Sequence, residues 1–159
     1  AIEFGCGSGL TSLYLAERGI HTTGIDVHPE AIALANMKQN KNLFFICANL
    51  SDLDMSECKP DLIYDNTIYQ NCAAKYDCVE EYLNILSNTV ESGALVCGNW
   101  MKDDPILKSN MPNLPLVTKE QIVEDFKELF EIDIIRQGLY DFSNGIDSIP
   151  SWSVLMKRR

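Results

Sequence analysis

Basic residues are scarce: the 159-residue chain has 13 lysines and arginines against 23 aspartates and glutamates, a formal charge of −10. Such a surface repels phosphate backbones, which removes the driving force for general nucleic-acid binding. Lys157-Arg158-Arg159 is the only dense basic patch, and it reads as a solvated tail. No apolar run approaches the ~20 residues that cross a bilayer, so no membrane partner is expected. The opening residues lead into a Gly-rich turn rather than the basic stretch and apolar run of a signal peptide, so none is expected. Histidine occurs twice, and the six cysteines (6, 47, 58, 72, 78 and 97) form no C-x-x-C pair. Zinc spacing is therefore missing. Cysteines scattered in apolar segments, such as Cys47 and Cys97, read as small buried side chains in a reducing compartment, the cytoplasm by default.

What remains is the balance of a globular chain, 46% hydrophobic and 23% charged, with no internal repeat, low-complexity tract or linker. The length suits one domain over 1–159. Ala1–Phe4 reads as the end of a strand that runs into Gly5-Cys6-Gly7-Ser8-Gly9. A helix follows from Ser8 to Arg18, stopped by Gly19. Residues 20–27 read as a strand, and Pro29 opens a second helix. The apolar run 42–48 reads as a strand buried on both faces. Further strands are expected at 61–65, 93–100, about 131–140 and 151–158, with helices at about 75–90 and 119–130, the latter capped by Thr118. Residues 101–117, with three prolines, read as a long connection. Strands alternating with helices predict an α/β, Rossmann-like, mostly parallel sheet. Phe142-Ser143-Asn144-Gly145-Ile146, rich in turn residues, predicts an antiparallel last strand. A strand needs about 5 residues, so the first one reads as truncated, with an N-terminal segment expected to be missing.

The strand–turn–helix at Glu3–Gly9 carries the strongest chemical signal. Glycines let the backbone turn sharply and let a ligand lie against it, while the helix start offers free N–H groups. The dinucleotide fingerprint is G-x-G-x-x-G. Here the spacing is G-x-G-x-G, and Leu10 holds the place that fingerprint gives to glycine. Asp26 ends the second strand, where an acid accepts hydrogen bonds from ribose hydroxyls. The alternative for Asp26 is a helix-capping role before His28-Pro29. Turn and carboxylate together indicate an adenosine-containing ligand, and the glycine spacing tips the choice away from NAD. No basic residue lies between Gly5 and Arg18 to meet a pyrophosphate, whereas a cationic ligand finds Glu3 and Asp65.

On these residues the sequence resembles the class I S-adenosylmethionine-dependent methyltransferases of small-molecule type. Glu3–Gly9 looks like their first motif, and Gly24–Pro29 like the ribose-binding strand end. Phe45–Leu50, Asp61–Asp65 and Gly93–Val96 look like the later motifs. The resemblance implies a seven-stranded sheet of order 3-2-1-4-5-7-6, with S-adenosyl-L-methionine as cofactor. It implies that Gly5, Gly7 and Gly9 lie against the methionine and ribose parts and that Glu3 organises the methionine end. It places Asp26 on the ribose hydroxyls and Val27 beside the adenine. Asn49 stands where the family usually has an aspartate facing the adenine amino group, with the Leu50 N–H toward the ring. Asp65 falls near the methionine amino group and the transferred methyl.

Methyl transfer to a small-molecule acceptor is an in-line displacement. It asks mainly for positioning and exclusion of water, so a recognisable triad is not required. Asp65 and Tyr69 are the candidates for acting on the acceptor, with packing under a loop as the other reading of Tyr69. Cys72 and Cys78 read as ordinary thiols, with a redox or substrate role as the alternative. Trp100 and residues 103–116 read as a plain connection or as a flap. His21 reads as structural and His28 as a helix cap. The competing functions are an NAD-dependent Rossmann oxidoreductase and a non-catalytic protein that binds S-adenosylmethionine.

Overall fold

The computed structural model describes residues 1–141 and 148–159, so the turn expected at Phe142–Ile146 lies outside the described residues. The strands are β1 (Ile2–Phe4), β2 (Thr22–Asp26), β3 (Leu43–Cys47), β4 (Leu62–Asn66), β5 (Leu95–Met101), β6 (Phe130–Asp141) and β7 (Ser148–Arg158). They form one sheet in the order β3-β2-β1-β4-β5-β7-β6. The first five are parallel, and β7 is antiparallel to both β5 and β6. This is the order that the resemblance implies.

The helices are α1 (Leu10–Glu17), α2 (Pro29–Ala35), α3 (Ile68–Asn71), α4 (Val79–Thr89), α5 (Pro105–Asn110) and α6 (Lys119–Phe126), with a π-helical turn at Cys72–Tyr76. Thr118 caps α6, its hydroxyl accepting from the Gln121 N–H at 3.1 Å. The connection at 101–117 holds α5, which Asp104 caps by accepting from Ile106 and Leu107, with Pro105 at its first turn. Asp-Pro is a helix-start signal that the surrounding prolines obscure.

One sequence expectation about burial changes here, and one open alternative is decided. The apolar run of β3 is not buried on both faces, because β3 is the last strand of the sheet: Phe44 is 60% exposed and only Leu43 of that strand is buried. Trp100 is a buried anchor on β5, in line with the plain-connection reading and not with a flap. It is fully buried and stacks on Phe126 with ring centroids 5.5 Å apart, and Tyr69 packs 4.5 Å from Trp100 and 4.8 Å from Phe126. Such aromatic contacts add about 0.5–1.5 kcal/mol each beyond area burial. They bind α3 and α6 to β5 and so hold the segment after β4 in place.

That segment contains a strained residue. Thr67, between β4 and α3, has φ 76°, a left-handed conformation costing a side chain roughly 1–2 kcal/mol. Glycine loses part of that gain through its freer unfolded chain. Thr67→Gly is therefore expected to stabilise the protein by about 0.5–1 kcal/mol, read as a higher urea midpoint; a lower one would show that the Thr67 side chain contributes more than its strain costs.

Candidate functional site

Parallel strands end on one side of the sheet, and ligands of such folds bind where the strand order reverses, here between β1 and β4. The Gly-rich turn leaves β1 at that point. Gly5, Gly7 and Gly9 all have positive φ, but they do different things. A Cβ on Gly9 would come within 2.4 Å of the Phe45 ring, so this glycine is needed for packing against β3. A Cβ on Gly5 would come within 2.9 Å of the Asn66 carbonyl oxygen and of the Ile68 side chain. A Cβ on Gly7 would meet nothing within 4 Å. Gly7 is thus the point at which a ligand has room to approach the main chain. Gly9, buried, is not such a point.

Asp26 lies at the end of β2 with its side chain 11% exposed. Its Oδ2 accepts from the Gly7 N–H at 2.8 Å, and its Oδ1 accepts from the His28 N–H and faces the His28 Nδ1, both at 2.9 Å. Burial alone would raise its carboxyl, but the bonds from His28 and Gly7 outweigh that and hold it below the usual carboxylate range. One carboxylate therefore ties the Gly-rich turn to the start of α2, and Oδ2 keeps a lone pair for a further donor. His28 stands at the N-cap of α2 but does not cap it through its ring, which rests on Asp26 and is 74% exposed.

Glu3 is buried in β1 beside α1, where its Oε2 accepts from the Ser12 hydroxyl. Burial raises its carboxyl to about 7, against the pull of that hydrogen bond.

Beyond the end of β2 opens a cleft of about 610 Å³, lined by neighbours of Asp26 but not by Asp26 itself or by Gly5–Gly9, and within the usual size of a small-molecule site. Val27, His28, Asn49 and Leu50 line one side, and Ile68, Asn71, Cys72 and Tyr76 are among the residues on the other. Val27 and Asn49 are exposed to it, while Leu50 is half-buried. The structure thus gathers the expected Val27, Asn49 and Leu50 in one place. Ile68 and Asn71 belong to the segment that follows the fourth strand, which the sequence places at the acceptor side, whereas Tyr76 escapes sequence reasoning because its approach depends on how the chain runs after the strained turn at Thr67.

Asp65 is turned away from the cleft, and Tyr69 takes the packing role, not that of an acceptor-facing group. Asp65 is fully buried: Oδ1 accepts from the Ile68 N–H at 2.8 Å, and Oδ2 from the Tyr69 N–H at 2.9 Å and the Tyr82 hydroxyl at 2.6 Å. Burial pushes its carboxyl up, opposed by these bonds. Tyr69 is equally buried, and its hydroxyl donates to Asp125 at 2.7 Å. Both face the core and not the cleft, because partners on α4 and α6 draw them inward. The neighbouring Asn66 behaves differently. Its Oδ1 is buried without a donor, next to the backbone that abuts Gly5. An orphaned buried acceptor of this kind is one to which a ligand's N–H or ammonium group could donate.

Residues 2–91, more than half of the chain, match the family described as methyltransferase domain. The chain belongs to this methyltransferase family. That membership decides against the nicotinamide reading. A stretch of 74 residues is 34% identical to 2-heptyl-1-hydroxyquinolin-4(1H)-one methyltransferase of Mycobacteroides abscessus, covering 44% of this chain and 33% of that protein. The match therefore spans about a third of the relative's length. Among solved structures, a SAM-dependent methyltransferase of Methanosarcina mazei superposes with TM-score 0.80 at 20% identity, over 99% of this chain and 91% of that one. The N-methyltransferase NodS of Bradyrhizobium japonicum, in complex with S-adenosyl-L-homocysteine, gives TM-score 0.75 at 14% identity, over 99% and 76%. At these identities the likeness establishes the fold.

Proposed function

We propose that residues 1–159 form one domain that binds S-adenosyl-L-methionine at the Gly-rich turn and transfers its methyl group to a small-molecule acceptor. The observation that carries this reading is the pairing of Gly7 with Asp26: open space against the main chain, and a carboxylate fixed beside it by the Gly7 N–H. When bound, the cofactor supplies a methyl on a sulfonium, open to in-line displacement by the acceptor's nucleophile.

The chain's own residues then have distinct tasks. Asp26 offers its free lone pair to ribose hydroxyls, and the exposed His28 ring yields its place on Oδ1. Val27 and Leu50 flank the adenine, with Asn49 as acceptor for its amino group. Asn66 Oδ1 takes a donor from the methionine end, and Glu3 sets the charge behind the turn. With Asp65 and Tyr69 committed to the core, positioning in a dry cleft carries the rate rather than proton transfer. The Mycobacteroides relative, a methyltransferase of the small heteroaromatic compound 2-heptyl-1-hydroxyquinolin-4(1H)-one, supports an acceptor of that size. The thiols, all free, support a reducing compartment such as the cytoplasm, and no described helix is long and apolar enough to cross a membrane.

Calorimetric titration with S-adenosylmethionine, S-adenosylhomocysteine and NAD tests the assignment. Binding of the first two is expected; binding of NAD alone would overturn it. Asp26→Ala is expected to weaken S-adenosylmethionine binding by about 1–3 kcal/mol, and an unchanged affinity would remove the carboxylate from the site. A screen of thiol, amine, phenol and carboxylate acceptors separates an enzyme from a protein that only binds the cofactor.

A further inference from the structure

Two of the six thiols stand together on the rim of the cleft, and cofactor binding makes no use of them. Cys72 opens the π-helical turn Cys72–Tyr76, and Cys78 directly precedes α4. The Cys78 N–H donates to the Cys72 carbonyl at 3.2 Å. By covalent dimensions that bond holds the two Cα atoms within ~7 Å, the reach of a disulfide. Asp77, at φ 50°, reverses the chain just before Cys78 and so brings the ends of the turn together. Both residues line the cleft and are half-buried, and their thiols interact. Lys75 and Tyr76, carried between them, line the same wall.

We propose that Cys72 and Cys78 are an oxidative modification site: hydrogen peroxide closes them into a reversible disulfide that fixes this wall of the cleft and changes its affinity for the nucleotide. In the first step the Cys78 sulfur attacks one peroxide oxygen and the O–O bond breaks. The leaving hydroxide takes the thiol proton as water, and Cys78 becomes a sulfenic acid. In the second step the Cys72 sulfur attacks the Cys78 sulfur and the S–O bond breaks. The departing hydroxide takes the Cys72 proton as a second water. Two thiols lose two electrons, and one peroxide gains them. Burial first, and then the contact with Cys78, push the Cys72 thiol well above the ordinary thiol range. It therefore leaves the first attack to Cys78, and it gives up its proton only as it attacks the neighbouring sulfenic sulfur. Its proximity to Cys78 compensates for its low thiolate content.

The crosslink stands independently of the proposed function, whereas its effect on affinity rests on it. The test treats the reduced chain with increasing hydrogen peroxide and maps disulfides by mass spectrometry after digestion. A Cys72–Cys78 crosslink is expected at lower doses than oxidation of the exposed Cys47. It is expected to be reversed by dithiothreitol and absent from C72S and C78S. The affinity for S-adenosylhomocysteine is expected to differ at least ~3-fold between reduced and crosslinked protein, with no such change in C72S. Oxidation of Cys47 first, or mixed pairings, would overturn the site. Equal affinities would overturn its coupling to the cleft. A reduced protein that binds no S-adenosylhomocysteine overturns the cofactor reading and the affinity arm together, and the crosslink map then decides the site alone.

Discussion

Replacing Asp65 with alanine is expected to lower the unfolding free energy by about 3–5 kcal/mol, a large part of what a domain of this size possesses. The carboxylate serves the Ile68 N–H, the Tyr69 N–H and the Tyr82 hydroxyl. Alanine leaves these donors without an acceptor in a site from which water is excluded, and each orphan costs about 1–3 kcal/mol. A counter-effect exists, since removing a fully buried acid also removes the cost of its desolvation. The orphans win, because the backbone donors at the start of α3 have no other acceptor to turn to. Tyr82→Phe separates the parts: it takes away one donor, leaves the two backbone bonds, and is expected to cost about 1–2 kcal/mol. Urea unfolding near pH 6 reads both. A loss below about 1 kcal/mol for Asp65→Ala would mean that Asp65 does not hold α3 and α4 to β4, and would reopen the question of its facing the ligand.

The contrast between Asp26 and Asp65 shows what a sequence reveals of such a site. Each acid stands at the end of a parallel strand, and that position is legible from the apolar run before it. Asp26 is followed two residues later by His28, whose N–H it takes, and its other partner Gly7 belongs to a motif visible in the sequence. Its role is encoded locally. Asp65 turns inward because of Tyr82, 17 residues on, and Tyr69 because of Asp125, 56 residues on. No local pattern carries those pairings. The glycines divide in the same way. The turn is legible, yet only tertiary packing shows that Gly9 makes room for the Phe45 ring while Gly7 faces open space. The sheet order follows from strand–helix alternation and the closing hairpin, whereas the exposure of β3 follows from its place at the sheet edge, which its apolar composition hides.

Glu3 gives the second large effect, one that depends on pH. Its carboxyl sits at about 7 in the folded protein against an ordinary value of 4.5, raised mainly by burial. The folded state therefore favours the neutral acid. The stabilisation from holding that proton is fully present below pH 4.5, is lost as pH rises through 7, and is absent above it. The shift corresponds to about 3 kcal/mol at most. Asp65, also raised, adds a slope of the same sign. Asp26, whose carboxyl is lowered, acts only at more acidic pH. Glu3→Gln isolates the Glu3 contribution, since glutamine stays neutral and still offers an oxygen to the Ser12 hydroxyl. The variant is expected to match the parent near pH 4.5 and to exceed it by up to about 3 kcal/mol at pH 8, by urea unfolding at both. A constant difference across that range would show that Glu3 does not titrate there. The same proton links stability to binding. A cation held near the turn favours the ionised acid, so nucleotide binding at pH 7 is expected to release protons in the parent and fewer in Glu3→Gln. Calorimetry in two buffers of different ionisation enthalpy measures that release, and equal proton release in both proteins would separate Glu3 from the ligand's charge.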